Sequence, residues 1–335
     1  MARPVQRSTT AAGLMLQSDG SRSYWSFMAF EVRAAKDKGQ GAFALCDMRK
    51  GIRILAEPPL ALWVVPDRSD VRRDTAISSL MAVINRLEPI EREGYFSLAQ
   101  LPDGDVAGLP YSQEAATGIW MTNAYPLEAS TQHKDGVRRH QGDSAGVFEQ
   151  IARLNHSCNP SCILTWNPSL GTRGQFTLHA ARDIRKGEEL TTCYWFDDGA
   201  RGLLREERVA RLEAKFGFEC RCECCSLTGS KLHRSERAQK RIRALSNLIE
   251  SREVSMQQVY KDHVPELLGL LEQEGVPSAW GQQWMLRARA AAARLGDEEA
   301  ERHWASCAAE CARLAAGEDS NDYAAIMRSM RTHVV

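Results

Sequence analysis

The chain has 335 residues, of which 43% are hydrophobic and 26% are charged, and its formal net charge is +0. This length suits one large domain or two ordinary domains with a real core. The balanced charge argues against a generic polyanion binder and against direct nucleic-acid binding.

The N-terminal residues 1–24 predict a flexible lead, because their apolar stretch is too short and too polar for a signal peptide. No apolar run in the sequence approaches the length that crosses a bilayer, so we expect no membrane partner. We therefore expect an intracellular protein, nuclear or cytoplasmic.

The first half of the chain predicts strands interrupted by helix. Residues 43–46 and 52–55 have the composition of short strands around a polar turn. Apolar residues from Ile77 to Leu87 recur at helical spacing, which predicts a helical insertion at about 66–115. Residues 130–145 contain almost no large apolar residue and predict a surface loop.

Short strands return at residues 162–166, 176–180 and 190–194, which are rich in β-branched and aromatic residues. After Gly202 the pattern becomes helical. A helix is predicted to stop at Gly217, because glycine is favoured just beyond a helix end.

The sequence from about residue 232 to the end predicts helix throughout. One apolar stripe runs from Trp280 to Leu295 and the next from Ala300 to Leu314, with Gly296 in the short turn between them. We expect these two helices to pack antiparallel. The basic stretch 231–243 is interpreted as a solvated helix face.

The cysteines indicate a metal site. Cys220, Cys222 and Cys225 form a C-x-C-x-x-C pattern, and thiolates this close suit zinc, which takes four ligands in a tetrahedron. Cys158 is the best candidate for the fourth ligand. Without a signal peptide we favour zinc over disulfides, and an iron–sulfur cluster is a weaker alternative. Three further cysteines are predicted to be buried apolar residues: Cys46, Cys307 and Cys311.

Three other short segments contain closely spaced polar residues or glycines. They are residues 38–41 with two glycines, residues 153–160 with Asn155 and His156, and residues 187–194, which end in Tyr194. Each segment alone is ordinary: a turn, a capped turn and the start of a strand. Their combination and order are specific.

In that order, the segments KGQGAFALCDMRKGIRILAEPPL, RLNHSCNP, ARDIRKGEELTTCY and FGFECRCECC resemble the SET-domain methyltransferases over roughly residues 25–228. The arrangement looks most like the SMYD-type and fungal SET-domain branch without a MYND finger. The resemblance implies an α+β SET fold of small sheets with the helical insertion. It divides the chain into a SET domain at 25–200, a zinc-binding post-SET segment at 201–228 and an α-helical C-terminal domain at 229–335.

The resemblance also implies the cofactor S-adenosylmethionine. Its methionine end would be held by the segment Lys38, Gly39, Gln40 and Gly41, with Asn123 near the same end. Asn155 and His156 would cradle the cofactor, and Phe218 would pack on the adenine. Phe216 is placed in the same set, at a position where relatives often carry a tyrosine near the lysine channel.

By the same resemblance, Tyr194 is the catalytic residue, whose hydroxyl aims a substrate lysine at the methyl group. One structural zinc ion would be held by Cys158, Cys220, Cys222 and Cys225, with Cys224 and Cys162 as spares. Ser161 departs from the usual motif, which has asparagine there.

The predicted function is methyl transfer to lysine side chains of a protein, histone or non-histone. Two alternatives stay open at this point. Phe216 and the aromatic run 194–196 suit a SET-fold enzyme acting on a small metabolite. A non-catalytic zinc-stapled interaction module is the other.

Overall fold

The computed structural model describes residues 13–16, 22–25, 29–65, 73–100, 111–127, 143–194, 202–251 and 253–331. Most of the predicted lead, most of the predicted loop at 130–145, and Trp195 and Phe196 lie outside these ranges. Within the predicted insertion, residues 66–72 and 101–110 also lie outside them.

The chain divides into two compact units. The first comprises Met1–Ala56, Asn155–Thr165 and Thr177–Val335, and the second comprises Glu57–Leu154 and Trp166–Phe176. All predicted site residues except Asn123 belong to the first unit.

Short strands form four small sheets in the described part of the chain. The strands are β1 Gly13–Leu16, β2 Arg22–Trp25, β3 Phe30–Ala35, β4 Gly39–Ala44, β5 Arg53–Glu57, β6 Ala61–Val65, β7 Tyr125–Pro126, β8 Asp143–Val147, β9 Asn155–His156, β10 Cys162–Asn167, β11 Gln175–Ala180 and β12 Glu189–Thr192. The sheet orders are β1-β2, β10-β11-β5, β3-β4-β12-β9 and β6-β8-β7. The strand predicted at 43–46 begins earlier, at Gly39, because residues 39–44 pair with β3.

The β3-β4-β12-β9 sheet brings three chemistry-bearing segments together. β12 pairs antiparallel with β4, where Leu190 lies opposite Ala42. On its other side β12 pairs parallel with β9, where Thr191 lies opposite Asn155. The segments at 38–41, 155–156 and 187–194 are therefore neighbours in one sheet, although more than a hundred residues separate the first from the others.

The second unit contains the helical insertion. Its helices are α1 Arg73–Asn85, α2 Pro89–Phe96 and α3 Tyr111–Asn123. Leu80 and Ile84 are buried in a core with Trp120, as the helical periodicity predicted. The buried Tyr95 hydroxyl donates to Ala116 O at 2.7 Å and so joins α2 to α3.

The first unit continues in helices from Arg205 onwards. They are α4 Arg205–Phe216, α5 Gly229–Ser251, α6 Met256–Gln258, α7 Val264–Gln273, α8 Gln282–Arg294, α9 Glu298–Ala316 and α10 Asn321–Arg331. A π-helical turn at Val259–His263 joins α6 to α7, and a 3₁₀ turn at Ser278–Gly281 precedes α8. α4 ends at Gly217 with φ 70°, which confirms the predicted stop.

α8 and α9 pack against each other through small residues. Ala288 and Ala292 are fully buried in one core with Trp284 and Trp304. Leu295, predicted to lie on the packing stripe, is instead 53% exposed, because α8 ends at Arg294 and Leu295 caps it. Of the helices described, none combines the length and hydropathy needed to cross a bilayer.

The end of α9 is bonded to the sheet strands of its own unit. Thr165 Oγ1 on β10 donates to Ala315 O at 3.2 Å. Arg53 on β5 pairs with Asp319 and donates through Nε to His179 Nε2 at 3.2 Å. These bonds anchor the C-terminal helices to β5, β10 and β11.

Candidate active site and zinc centre

The turn between β3 and β4 approaches other polar groups closely. Asp37 (φ 59°) and Gly39 (φ 74°) have left-handed backbone there, a conformation that favours glycine. At Gly41 a Cβ atom would lie 2.9 Å from Glu189 Oε1 and 3.0 Å from Asn155 Nδ2. Glycine at position 41 therefore lets β4 lie directly against these two side chains.

Glu189 on β12 links two of the predicted cofactor residues. Its Oε2 accepts from Lys38 Nζ at 2.7 Å, and its Oε1 accepts from Asn155 Nδ2 at 2.8 Å. Asn155 Nδ2 also donates to Gln40 O at 3.0 Å. We call Lys38, Gln40, Gly41, Asn155 and Glu189 the cradle. Because the Glu189 side chain is only 19% exposed, its charge-assisted bonds are partly shielded from water.

His156 joins the end of β12 to the cysteines. Burial lowers the pKa of His156 to about 4, so the ring is neutral at neutral pH. Its Nδ1 accepts from the Tyr194 backbone N–H at 3.0 Å, which places the ring proton on Nε2. Nε2 lies 3.4 Å from Cys158 Sγ and therefore donates to that sulfur.

Tyr194 lies among aromatic rings. Its ring centroid is 5.2 Å from that of His156, 5.1 Å from that of Phe216 and 6.4 Å from that of Phe218. Burial, together with the negative charge of Glu189, raises the pKa of Tyr194 to about 12. The hydroxyl therefore keeps its proton at neutral pH and remains a hydrogen-bond donor. We call these four rings the ring cluster.

The four predicted zinc ligands converge. The Sγ atoms of Cys158, Cys220, Cys222 and Cys225 all lie within 4.8 Å of one another. Cys158 Sγ is 3.6 Å from Cys225 Sγ and 4.0 Å from Cys220 Sγ. Zinc–sulfur bonds of about 2.3 Å in a tetrahedron set neighbouring sulfurs about 3.8 Å apart, so this thiol cluster fits one zinc ion.

Contacts within the thiol cluster shift the pKa values of its members in opposite directions. Hydrogen bonds from Cys158 lower the pKa of Cys222 and that of Cys225, whereas the pKa values of Cys158 and Cys220 are raised above the ordinary value. Zinc binds the thiolate form, so zinc binding must release the protons that Cys158 and Cys220 hold.

All ten cysteines are free thiols. Cys224 is half-buried beside the four predicted ligands, and Cys162 is buried on β10. Cys311 is buried and Cys307 is half-buried, but the expectation that Cys46 is buried is wrong. Cys46 is exposed because it lies in the bend that follows β4.

Asn123 lies at the C-terminal end of α3 in the second unit. Its Nδ2 donates to Ala99 O at 2.7 Å and to Ile119 O at 2.8 Å, and the residue is 7% exposed. These bonds fix the end of α3, and the expected role of Asn123 near the cofactor stays a prediction.

Three residues were missed as contributors to this region. Glu189 was present in the GEEL motif, and its position in β12 was the signal that would have found it. Ser161 is fully buried, its N–H donates to Thr191 Oγ1 at 3.1 Å, and its hydroxyl accepts from Thr191 N at 2.9 Å, so it fastens β12. Arg208 on α4 is buried with a guanidinium nitrogen 4.0 Å from Cys225 Sγ, which no sequence pattern indicated.

Comparison with known proteins finds a family model and several relatives that match part of this chain. Residues 39–195 match the SET domain. Histone-lysine N-methyltransferase set5 of Schizosaccharomyces pombe is 26% identical over 205 residues, which cover 61% of this chain and 53% of the relative. Histone-lysine N-methyltransferase SMYD3 of Homo sapiens is 41% identical over 81 residues, which cover 24% of this chain and 17% of the relative.

A further relative, histone-lysine N-methyltransferase SET5 of Scheffersomyces stipitis, is 33% identical over 152 residues. Those residues cover 45% of this chain and 27% of that protein. The match to set5 thus spans about half of that relative's length, and the other two matches span less. The SET match contains His156, Tyr194 and all of the cradle except Lys38, and the predicted resemblance is confirmed over residues 39–195.

Proposed function

We propose that this chain is an S-adenosylmethionine-dependent methyltransferase that acts on lysine side chains of a protein substrate. The observation that carries the proposal is the direct connection of the cradle to the ring cluster. Asn155 and His156 are consecutive in β9, and Glu189 precedes Tyr194 by five residues along the neighbouring strand and its end. The relatives named as histone-lysine methyltransferases favour a protein acceptor over a small metabolite.

The cradle has the chemistry that the methionine end of this cofactor requires. Lys38 supplies a cation for a carboxylate, and it shares Glu189 with the Asn155 amide. The close approach at Gly41 lets β4 lie directly against the Glu189 and Asn155 side chains and so holds the cradle together. Phe218, half-buried in the ring cluster, offers the flat apolar face that an adenine needs.

The bound cofactor supplies a methyl group on a positively charged sulfur. A lysine amine has an ordinary pKa of about 10.4 and must be neutral to attack, and an apolar, cation-flanked channel lowers that pKa. The protonated Tyr194 hydroxyl is a fixed dipole in the ring cluster that orients the incoming amine. Phe216 and Phe218 exclude water from the same region, and orientation is most of what the protein contributes.

The zinc ion in this proposal is structural, because four thiolates leave no open position for water. We keep the division into a lead at 1–24, a SET domain at 25–200, a post-SET segment at 201–228 and a helical domain at 229–335. An intracellular location, nuclear or cytoplasmic, is part of the proposal and suits ten cysteines that form no disulfide.

The test is methyl transfer from labelled S-adenosylmethionine to core histones and to a proteome extract. We expect protein bands to be labelled and methyl-lysine to be found by mass spectrometry. Tyr194→Phe removes the orienting hydroxyl and should lower kcat by about 100-fold or more while the Kd for the cofactor stays within a few-fold.

The matched control is Tyr323→Phe on α10, which removes one hydroxyl from a half-buried tyrosine of another core cluster. It should label substrates at the wild-type rate. Cofactor binding with no labelled protein, or equal activity of both variants, would contradict the proposal.

A further inference from the structure

Arg208 on α4 is the one lysine or arginine that is buried among the residues the structure describes, with 6% of its surface exposed. Its Nη1 donates to Leu203 O at 2.7 Å, and its Nη2 lies 4.0 Å from Cys225 Sγ. Its Nε is buried and has no hydrogen-bond partner in the described part of the chain.

A buried guanidinium needs a nearby negative charge, because desolvation of an unpaired ion is costly. Across the described ranges, no carboxylate forms an ion pair with Arg208. Glu274 lines the same cavity of about 40 Å³, but its Oε2 accepts from Ser235 and Gln239 instead. Cys158 and Cys224 line that cavity too, so Arg208 faces cysteine sulfurs, and a sulfur that binds zinc does so as a thiolate.

The thiol cluster, once it holds zinc, has an excess of negative charge. One Zn²⁺ with four thiolates carries a net charge of −2, and the cluster is largely shielded from solvent, since Cys220 and Cys225 are 5% and 2% exposed. His156 Nε2–H donates to Cys158 but is neutral. Arg208 is the group that brings a positive charge to the Cys225 side of the cluster.

The position of Arg208 along α4 gives this pairing a consequence for the ring cluster. Leu212 lies one turn after Arg208 on the same helix face, and it is fully buried against Cys220 and Cys225. Phe216 lies one further turn along and contacts Tyr194. One helix face thus carries the guanidinium, the apolar contact and the aromatic ring.

We propose that Arg208 is the counter-ion of the thiol cluster, a positioning residue that strengthens zinc binding and holds α4 against the cysteines at 220–225. This rests on the zinc assignment made above and is independent of which acceptor is methylated. Hydrogen-bonded partners of metal ligands typically change metal affinity by about 10–100-fold when they are removed.

The experiment compares zinc retention in the full chain. Wild type, Arg208→Gln and Arg208→Lys are loaded with zinc, quantified by elemental analysis, and mixed with a chromophoric chelator. We expect one zinc per wild-type chain. Arg208→Gln should release zinc about 10–100-fold faster than wild type. Arg208→Lys should release it at a rate between those of wild type and Arg208→Gln, because an ammonium keeps the positive charge but lacks the planar set of N–H donors of a guanidinium.

The matched controls are Arg211→Gln and Arg211→Lys, which change an exposed arginine three residues further along α4. Both should release zinc at the wild-type rate. Cobalt-substituted protein adds a readout that loss of packing alone does not move. The sulfur-to-cobalt charge-transfer band should shift in the Arg208 variants and stay in place in the Arg211 variants.

The outcomes separate the two assignments. A wild-type chain that holds no zinc overturns the zinc assignment itself. A wild-type chain with one zinc, together with Arg208→Gln that releases it at the control rate, overturns only the role of Arg208. If Arg208→Gln does not fold, Arg208→Lys decides, and release at the rate of Arg211→Lys overturns the inference.

Discussion

The cradle and the thiol cluster are held together in different ways. The cradle rests on polar bonds among partly exposed groups, and the Lys38 side chain that pairs with Glu189 is 42% exposed. The thiol cluster is shielded, with Cys225 2% exposed and packed against Leu212. A ligand site needs groups that remain free to change partners, whereas a structural clamp gains from burial. His156 is adjacent to both regions, because it follows Asn155 of the cradle in β9 and donates to Cys158 of the thiol cluster.

The largest effect is expected when the thiol cluster loses one of its four cysteines. Cys222→Ser removes one zinc ligand, and we expect loss of zinc, of cofactor binding and of activity together, each by more than about 100-fold. The reason is that the post-SET segment carries Phe216 and Phe218 to Tyr194. Elemental analysis measures the zinc content, calorimetry with S-adenosylmethionine measures cofactor binding, and the methyl-transfer assay measures activity.

The control for this prediction is Cys307→Ser, a half-buried cysteine on α9, which should keep both zinc and cofactor. If Cys222→Ser lost zinc but bound the cofactor normally, the thiol cluster and the cofactor site would be independent.

A second prediction concerns the loss of stability in acid that His179 causes, a residue outside both the cradle and the thiol cluster. Burial, with the Arg53 charge, lowers the pKa of His179 from 6.5 to about 4. Between these pH values the unfolded chain binds a proton that the folded chain does not, so the free energy of unfolding falls as pH drops from 6.5 to 4. The loss amounts to about 3 kcal/mol at full extent.

His179→Gln keeps an acceptor for Arg53 Nε but cannot be protonated, so it should abolish this part of the acid sensitivity. Urea unfolding at pH 7.5, 6 and 4.5 measures it, with the exposed His303→Gln as control. Parallel profiles of unfolding free energy against pH for wild type and His179→Gln would show that folding does not lower the pKa of His179.

The smallest effect is expected in the cradle. Glu189→Gln removes the charge that Lys38 and Asn155 share, and we expect cofactor affinity to fall by about 10-fold, the cost of a partly shielded charged hydrogen bond. Zinc content should not change. Calorimetry measures the Kd.

Glu188→Gln is the matched control, because Glu188 is the adjacent carboxylate and pairs with Arg182 instead. It should leave cofactor affinity unchanged. Equal losses in both variants would show that the whole turn, rather than the Glu189 contacts, sets the affinity.

Many of the strands and helices could be predicted from the local sequence pattern. The strands at β10, β11 and β12, the helical stop at Gly217 and the helical C-terminal region follow from composition and periodicity. Helix and strand ends were less accessible. β4 begins at Gly39 because its partner strand extends the ladder, and Leu295 is exposed because α8 stops one residue earlier. Such limits depend on neighbours that local pattern does not contain.

The sequence by itself predicted that Cys158 and the cysteines at 220–225 form a metal-binding cluster, that residues 38–41 form a turn, and that the ordered motifs indicate a SET domain. These are properties of residue type and spacing along the chain. Only the tertiary structure decided that Glu189 joins Lys38 to Asn155, that His156 connects Tyr194 to Cys158, and that Arg208 lies against Cys225. The physical reason is that electrostatic and hydrogen-bond partners are chosen by distance in space, which sheet register and helix packing set.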